Sequence, residues 1–118
     1  MKTKAAVRHV GDVAIVDVER QLTCGQVEEY FTEPTCQLIE AGEKKILVNL
    51  RRCRFLDNSG LAGIATCCLK ATEGGAELRV CEVEEQSKLV QDLLKMMLIY
   101  AGSEEQAIAS FGTGPGES

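Results

Sequence analysis

The residues of this chain best placed to do chemistry are five in a row, Asp57-Asn58-Ser59-Gly60-Leu61. Leu61, Ile64, Ala65, Cys68 and Leu69 then repeat at the spacing of one helix face, so the five residues sit where a helix begins. Asp57, Asn58 and Ser59 are all good N-cap residues, and the turn is pre-organised whichever one takes the cap. A hydroxyl at a helix start lies beside unpaired backbone N–H groups and the positive end of the helix dipole, a setting that favours a phosphate. Gly60 leaves out a side chain next to that hydroxyl, so a kinase or a partner is expected to approach closely. Ser59 is therefore a candidate phosphoacceptor. Phosphorylation would add about −1.5 to −2 charges there, which the fold tolerates and a partner packed on the turn must desolvate. Losing about 3 kcal/mol would weaken such binding more than a hundredfold. The bland reading of the same residues is that Asp57 and Ser59 only cap a helix.

Other constellations are weaker. Asp57 could be the phosphoacceptor of a receiver domain, but that chemistry needs Mg²⁺ and further carboxylates near the end of the first strand. Asp12 falls in a turn, and Asp17 and Glu19 belong to a strand expected to pair antiparallel with the first, so this reading is disfavoured. Glu82, Glu84 and Glu85 form an acidic run without a nearby histidine, the pattern of a solvated face and not of an enzyme. His9 is the one histidine and lacks ligand-spaced companions, so neither a metal nor a cofactor is expected. The six cysteines, Cys24, Cys36, Cys53, Cys67, Cys68 and Cys81, contain no C-x-x-C spacing and read as reduced, mostly buried thiols. Arg51, Arg52 and Arg54 read as a solvated edge able to help hold an acidic partner or a phosphate. Leu89, Met96 and Met97 are expected in the core, the alternative being an adaptable contact surface beside the second helix.

These residues need a scaffold. A chain of 118 residues fits one domain, and its 45% hydrophobic and 26% charged content is that of a globular protein. No apolar run approaches the roughly 20 residues that cross a bilayer, and the basic start Met1-Lys2-Thr3-Lys4 leads into no apolar signal segment, so a cytoplasmic protein without membrane insertion is expected. A net charge of −5 argues against nucleic acid as a partner. Ala5 to Val10 and Val13 to Val18 predict an antiparallel hairpin turning at Gly11-Asp12. Val27, Phe31, Leu38 and Ala41 predict a helix from about Gly25 to Ala41, kinked or split at Pro34, with Thr32 capping the second part. Lys45 to Leu50 predicts a central strand. The helix after Asn58 should end at Gly74-Gly75, followed by a strand from Ala76 to Val80. Val90, Leu93, Leu94 and Met97 mark a third helix from near Glu85 or Gln86, and Leu98-Ile99-Tyr100 either extends it or forms a short last strand. Ser103-Glu104-Glu105-Gln106 resembles a capping box, with Ala107, Ile108 and Phe111 as the buried face of a closing helix. The expected fold is a single α/β domain over residues 1–111, with a mixed, mostly parallel sheet of 4–5 strands, an N-terminal antiparallel hairpin and about four helices. Residues 112–118 are expected to be a disordered tail.

The stretch from Ile46 to Leu61, with its apolar strand, the Phe55-Leu56-Asp57-Asn58-Ser59-Gly60-Leu61 turn and the helix after it, resembles the signature of STAS domains, the anti-sigma factor antagonists. The likeness continues in the opening hairpin, Leu22 before the first helix, Ala41-Gly42, Gly74-Gly75, and Ser103 to Phe111. It implies a protein-binding switch without catalytic activity. Unphosphorylated at Ser59, the domain would sequester an anti-sigma factor that is also a serine kinase; the kinase would phosphorylate Ser59 and a serine phosphatase would reset it. Thr23, Asp57, Asn58, Ser59, Gly60, Leu61 and Gly63 would form the partner-binding surface. The chain departs from the family pattern at Asn58, where a serine is frequent, and at Thr23, where an acidic residue is frequent. The alternative role for such a domain is a scaffold subunit of a signalling assembly or an accessory subunit of a lipid-transport complex.

Overall fold

Gly11 takes φ +60°, a left-handed conformation open to glycine, and lets the chain reverse within two residues. Strand β1 (Ala6–Val10) thereby folds back on β2 (Val13–Asp17), with Val10 opposite Val13 and Ala6 opposite Asp17. The computed structural model describes residues 6–19, 21–23, 25–97 and 99–111. Ala5, Cys24, Leu98 and the tail expected at 112–118 lie outside the described residues. Strand β3 (Lys45–Asn49) pairs parallel with β2, and β4 (Glu77–Cys81) pairs parallel with β3, giving the sheet order β1-β2-β3-β4. The possible fifth strand is reduced to one parallel bridge between Val80 and Tyr100.

Alternation along the strands divides the core in two. Val16, Ile46, Val48 and Val80 face one side and Val13, Ile15, Leu47 and Cys81 the other. Burial on both faces explains why β3 reads as an unbroken apolar run instead of an alternating one.

The first helical segment is split, as Pro34 led one to expect, but not at a cap. A π-helical stretch, Glu28–Thr32, runs straight into helix α1 (Glu33–Glu40), with Pro34 in its first turn. Proline has no N–H to offer the preceding turn and its ring crowds the carbonyl four residues back; widening that turn relieves both. Thr32 itself is helical, at φ −62° and ψ −48°, and its side chain makes no capping bond, so the expected Thr32 cap is corrected.

Helix α2 (Asn58–Glu73) ends at Gly74, with Gly75 at φ +79°. Helix α3 (Lys88–Met96) starts later than Glu85 or Gln86, because Ser87 takes the cap and its Oγ accepts the Val90 N–H at 3.2 Å. Gln86 is turned inward instead, donating from Nε2 to the Cys53 carbonyl. Val90 and Leu94 are buried, whereas Leu89 and Met96 are 68% and 76% exposed, so those two residues are surface and not core. Helix α4 (Glu104–Phe111) begins with the expected capping box. Ser103 Oγ accepts the Gln106 N–H at 3.2 Å, and Gln106 Oε1 accepts the Ser103 N–H at 2.9 Å. Ala107 and Phe111 of this helix cover the second face of the sheet.

Candidate partner-binding and phosphorylation site

The head of α2 is positioned by a short backbone pairing outside the main strands. Leu22 and Leu56 form a parallel bridge, in which the Leu22 N–H donates to the Phe55 carbonyl at 3.0 Å and the Asp57 N–H to the Leu22 carbonyl at 3.2 Å. Both leucines are buried, so the turn that follows is anchored in the core. Asp57 is extended, at φ −98° and ψ −167°, and its Oδ1 accepts the Gly60 N–H at 3.1 Å while its carbonyl accepts the Leu61 N–H at 3.0 Å. Of the three capping candidates, Asp57 is thus the one that caps.

Ser59 consequently stands at the second position of a 16-residue helix. It is half-buried, and its hydroxyl makes no hydrogen bond among the described residues. Asn58 beside it is exposed, and Leu61 is half-buried. With the Gly60 N–H taken by Asp57, the Asn58 and Ser59 N–H groups are, among the described residues, the donors left at this helix end. Thr23 is brought to the same place through its neighbour Leu22; its Oγ1 donates to Gln26 Oε1 at 3.3 Å and its carbonyl accepts from Gln26 and Val27. Phe55, which sequence reasoning did not single out, is 53% exposed just ahead of the turn.

Gly60 and Gly63, also expected at the partner surface, are packed inward. Gly60 is buried, and a Cβ on it would run into the Leu22 carbonyl oxygen and the Leu56 side chain. Gly63 is also buried, and a Cβ there would fall 2.6 Å from Val27 Cγ2. Both glycines let α2 press against its own neighbours. Of the other residues expected to meet a partner, Asn58 is exposed and Thr23, Asp57, Ser59 and Leu61 are half-buried.

At the carboxyl ends of β2 to β4 a cleft of about 680 Å³ is lined by Arg8, Asp17, Asn49, Glu82 and Glu104 among others. No local pattern signals this grouping, since its members are far apart in the chain. Arg8 bridges Asp17 and Glu104, Asn49 Nδ2 donates to Glu104 Oε1 at 2.7 Å, and Glu82 Oε2 accepts the Glu104 N–H at 2.8 Å. Glu82 holds φ +61°, rare for a residue with a side chain. The network fastens α4 to the sheet, and it ties up Asp17, one of the carboxylates a receiver-type Mg²⁺ site would need. Among the described residues no three His, Cys, Asp or Glu side chains are placed to hold a metal ion. His9 Nε2 lies 2.8 Å from Glu43 Oε2 at the surface, and Arg51, Arg52 and Arg54 are exposed.

No family model and no curated protein matches the sequence. Solved structures do. A STAS domain protein from Planctomyces limnophilus has a TM-score of 0.75 at 14% identity, over 93% of this chain and 98% of that one. The anti-sigma factor antagonist SpoIIAA in its unphosphorylated form has a TM-score of 0.72 at 16% identity, over 93% of this chain and 99% of that one. The phosphorylated form of the Bacillus protein SpoIIAA has a TM-score of 0.70 at 16% identity, over 91% and 98%. The fold is that of the anti-sigma factor antagonists with a STAS domain.

Proposed function

We propose that this chain is an anti-sigma factor antagonist, a non-catalytic switch that binds an anti-sigma factor with serine kinase activity and lets go when Ser59 is phosphorylated. The observation that carries this reading is Ser59 itself, half-buried at the head of α2, its hydroxyl without a hydrogen bond among the described residues. A phosphate there would sit beside the Asn58 and Ser59 N–H groups and the positive helix end, so the domain would keep its fold while its surface gains negative charge. Thr23, Asn58 and Leu61 would meet the partner together with Ser59; Asp57 would hold the helix start in place. A serine phosphatase would restore the binding form.

Affinity capture from lysate with wild type, Ser59→Ala and Ser59→Asp tests the proposal. The wild-type and alanine proteins are expected to retain an ATP-binding serine kinase, and the aspartate protein to lose it. Identical partner sets for all three, or stable capture of a transporter by all three, would remove the switch.

A further inference from the structure

Two thiols meet where α1 crosses α2. Cys36 lies on α1 and is half-buried; Cys67 lies in the middle of α2 and is buried. Cys67 Sγ is 4.0 Å from the Thr32 carbonyl oxygen, one helical turn before Cys36, and the Cys36 thiol is close enough to help raise the Cys67 pKa. Gly63 makes this approach possible. It lies one helical turn before Cys67, and a Cβ there would come 3.1 Å from Thr32 Oγ1. Thr32 is in turn four residues before Cys36. Two one-turn pairs, Gly63 with Cys67 and Thr32 with Cys36, therefore face each other, and the missing side chain lets the two helices approach at this point.

We propose that Cys36 and Cys67 form a redox modification site, joined by a reversible disulfide when the chain meets a peroxide. Cys36 is the sulfur an oxidant can reach. Its thiolate attacks one peroxide oxygen; the O–O bond breaks, an S–O bond forms, and hydroxide leaves and takes up a proton as water. Cys67 then attacks the Cys36 sulfenic acid, the S–S bond forms, the S–O bond breaks, and the hydroxyl departs as a second water with the Cys67 proton. Two thiols are oxidised by two electrons and one peroxide is reduced. Burial pushes the Cys67 thiol up to about 12, which keeps it inert toward solvent oxidant and reserves it as the resolving partner. Two of the other described thiols are less suited: Cys81 belongs to the opposite face of the sheet, and Cys53 is buried against the Phe55 carbonyl; the half-buried Cys68 is the competitor that the test below separates. The bond would tie α1 to the helix whose first turn carries Ser59, and a thiol reductant would undo it.

The reduced full-length chain, treated with hydrogen peroxide, then unfolded, alkylated and digested, tests this. Wild type is expected to lose two alkylatable thiols and about 2 Da, both restored by dithiothreitol, with the Cys36 and Cys67 peptides joined. Cys36→Ser should abolish the joined peptide and Cys68→Ser should keep it. The oxidised wild type should also melt at least about 5 °C higher than the reduced form, since a cross-link restrains the unfolded chain. All six cysteines still alkylatable, Cys36 carried on to sulfinic acid with Cys67 untouched, or Cys36 joined to Cys68 would each overturn the assignment.

Discussion

Asn49 Nδ2 donates to Glu104 Oε1 at 2.7 Å across 55 positions of sequence, joining the last residue of the central strand to the first of the closing helix. The same carboxylate takes hydrogen bonds from Arg8, which hold it below the ordinary glutamate range against an opposing effect of burial and with help from Asn49. A carboxyl whose pKa is lower folded than unfolded adds stability above its ordinary value, near 4.3, and loses it as pH falls through the folded value. Urea midpoints of wild type should therefore drop more steeply below about pH 5 than those of Glu104→Gln, with the two curves converging at the acid end. Parallel curves would show that the network does not couple α4 to protonation.

Asp57→Ala removes the group that accepts the Gly60 N–H. The expected cost is about 1 kcal/mol in urea unfolding, with Asp57→Asn recovering most of it because asparagine caps equally well. An alanine variant as stable as wild type would mean that another side chain caps α2.

Gly60→Ala and Gly74→Ala make the same chemical change in different surroundings. At Gly60 the new methyl meets the Leu22 carbonyl and Leu56, while at Gly74 its nearest neighbour is at 3.5 Å, an ordinary contact. The first should lower stability by about 1–3 kcal/mol and the second by less than about 0.5 kcal/mol.

Ser59→Asp places a negative charge in the first turn of α2. Its stability should equal that of wild type or exceed it by up to about 1 kcal/mol, a gain that added salt erodes. A loss of more than about 1 kcal/mol would show that a charge here damages the fold, and the loss of partner binding could then not be assigned to the surface alone.

Leu89 and Leu94 sit on the exposed and buried sides of α3. Leu94→Ala should cost about 2–5 kcal/mol and Leu89→Ala almost nothing, as guanidinium titration would read directly.

The architecture could be read from the chain wherever local chemistry decides it. Gly11 at a two-residue turn, the apolar runs of β2 and β3, and the Ser103–Gln106 capping box all act through near neighbours. Ser59 could likewise be placed at a helix start. What escaped was set by contacts distant in sequence. Gly60 looked like an opening because no local rule reveals that Leu22 packs against it. Leu89 and Met96 looked like core because they are apolar, and only the direction in which α3 docks turns them to solvent. Thr32 had the right side chain for a cap, but the π-helical stretch carried the chain past it without a break. The Arg8–Asp17–Glu104 grouping draws on both ends of the sequence and has no local signature at all.

One face of the sheet rests on a single late segment. Val13, Ile15 and Leu47 come early in the chain, yet their cover is Ala107 and Phe111. A ribosome must therefore release the chain through Phe111 before those side chains leave water, and until then the nascent domain carries a greasy flank suited to a chaperone's grip.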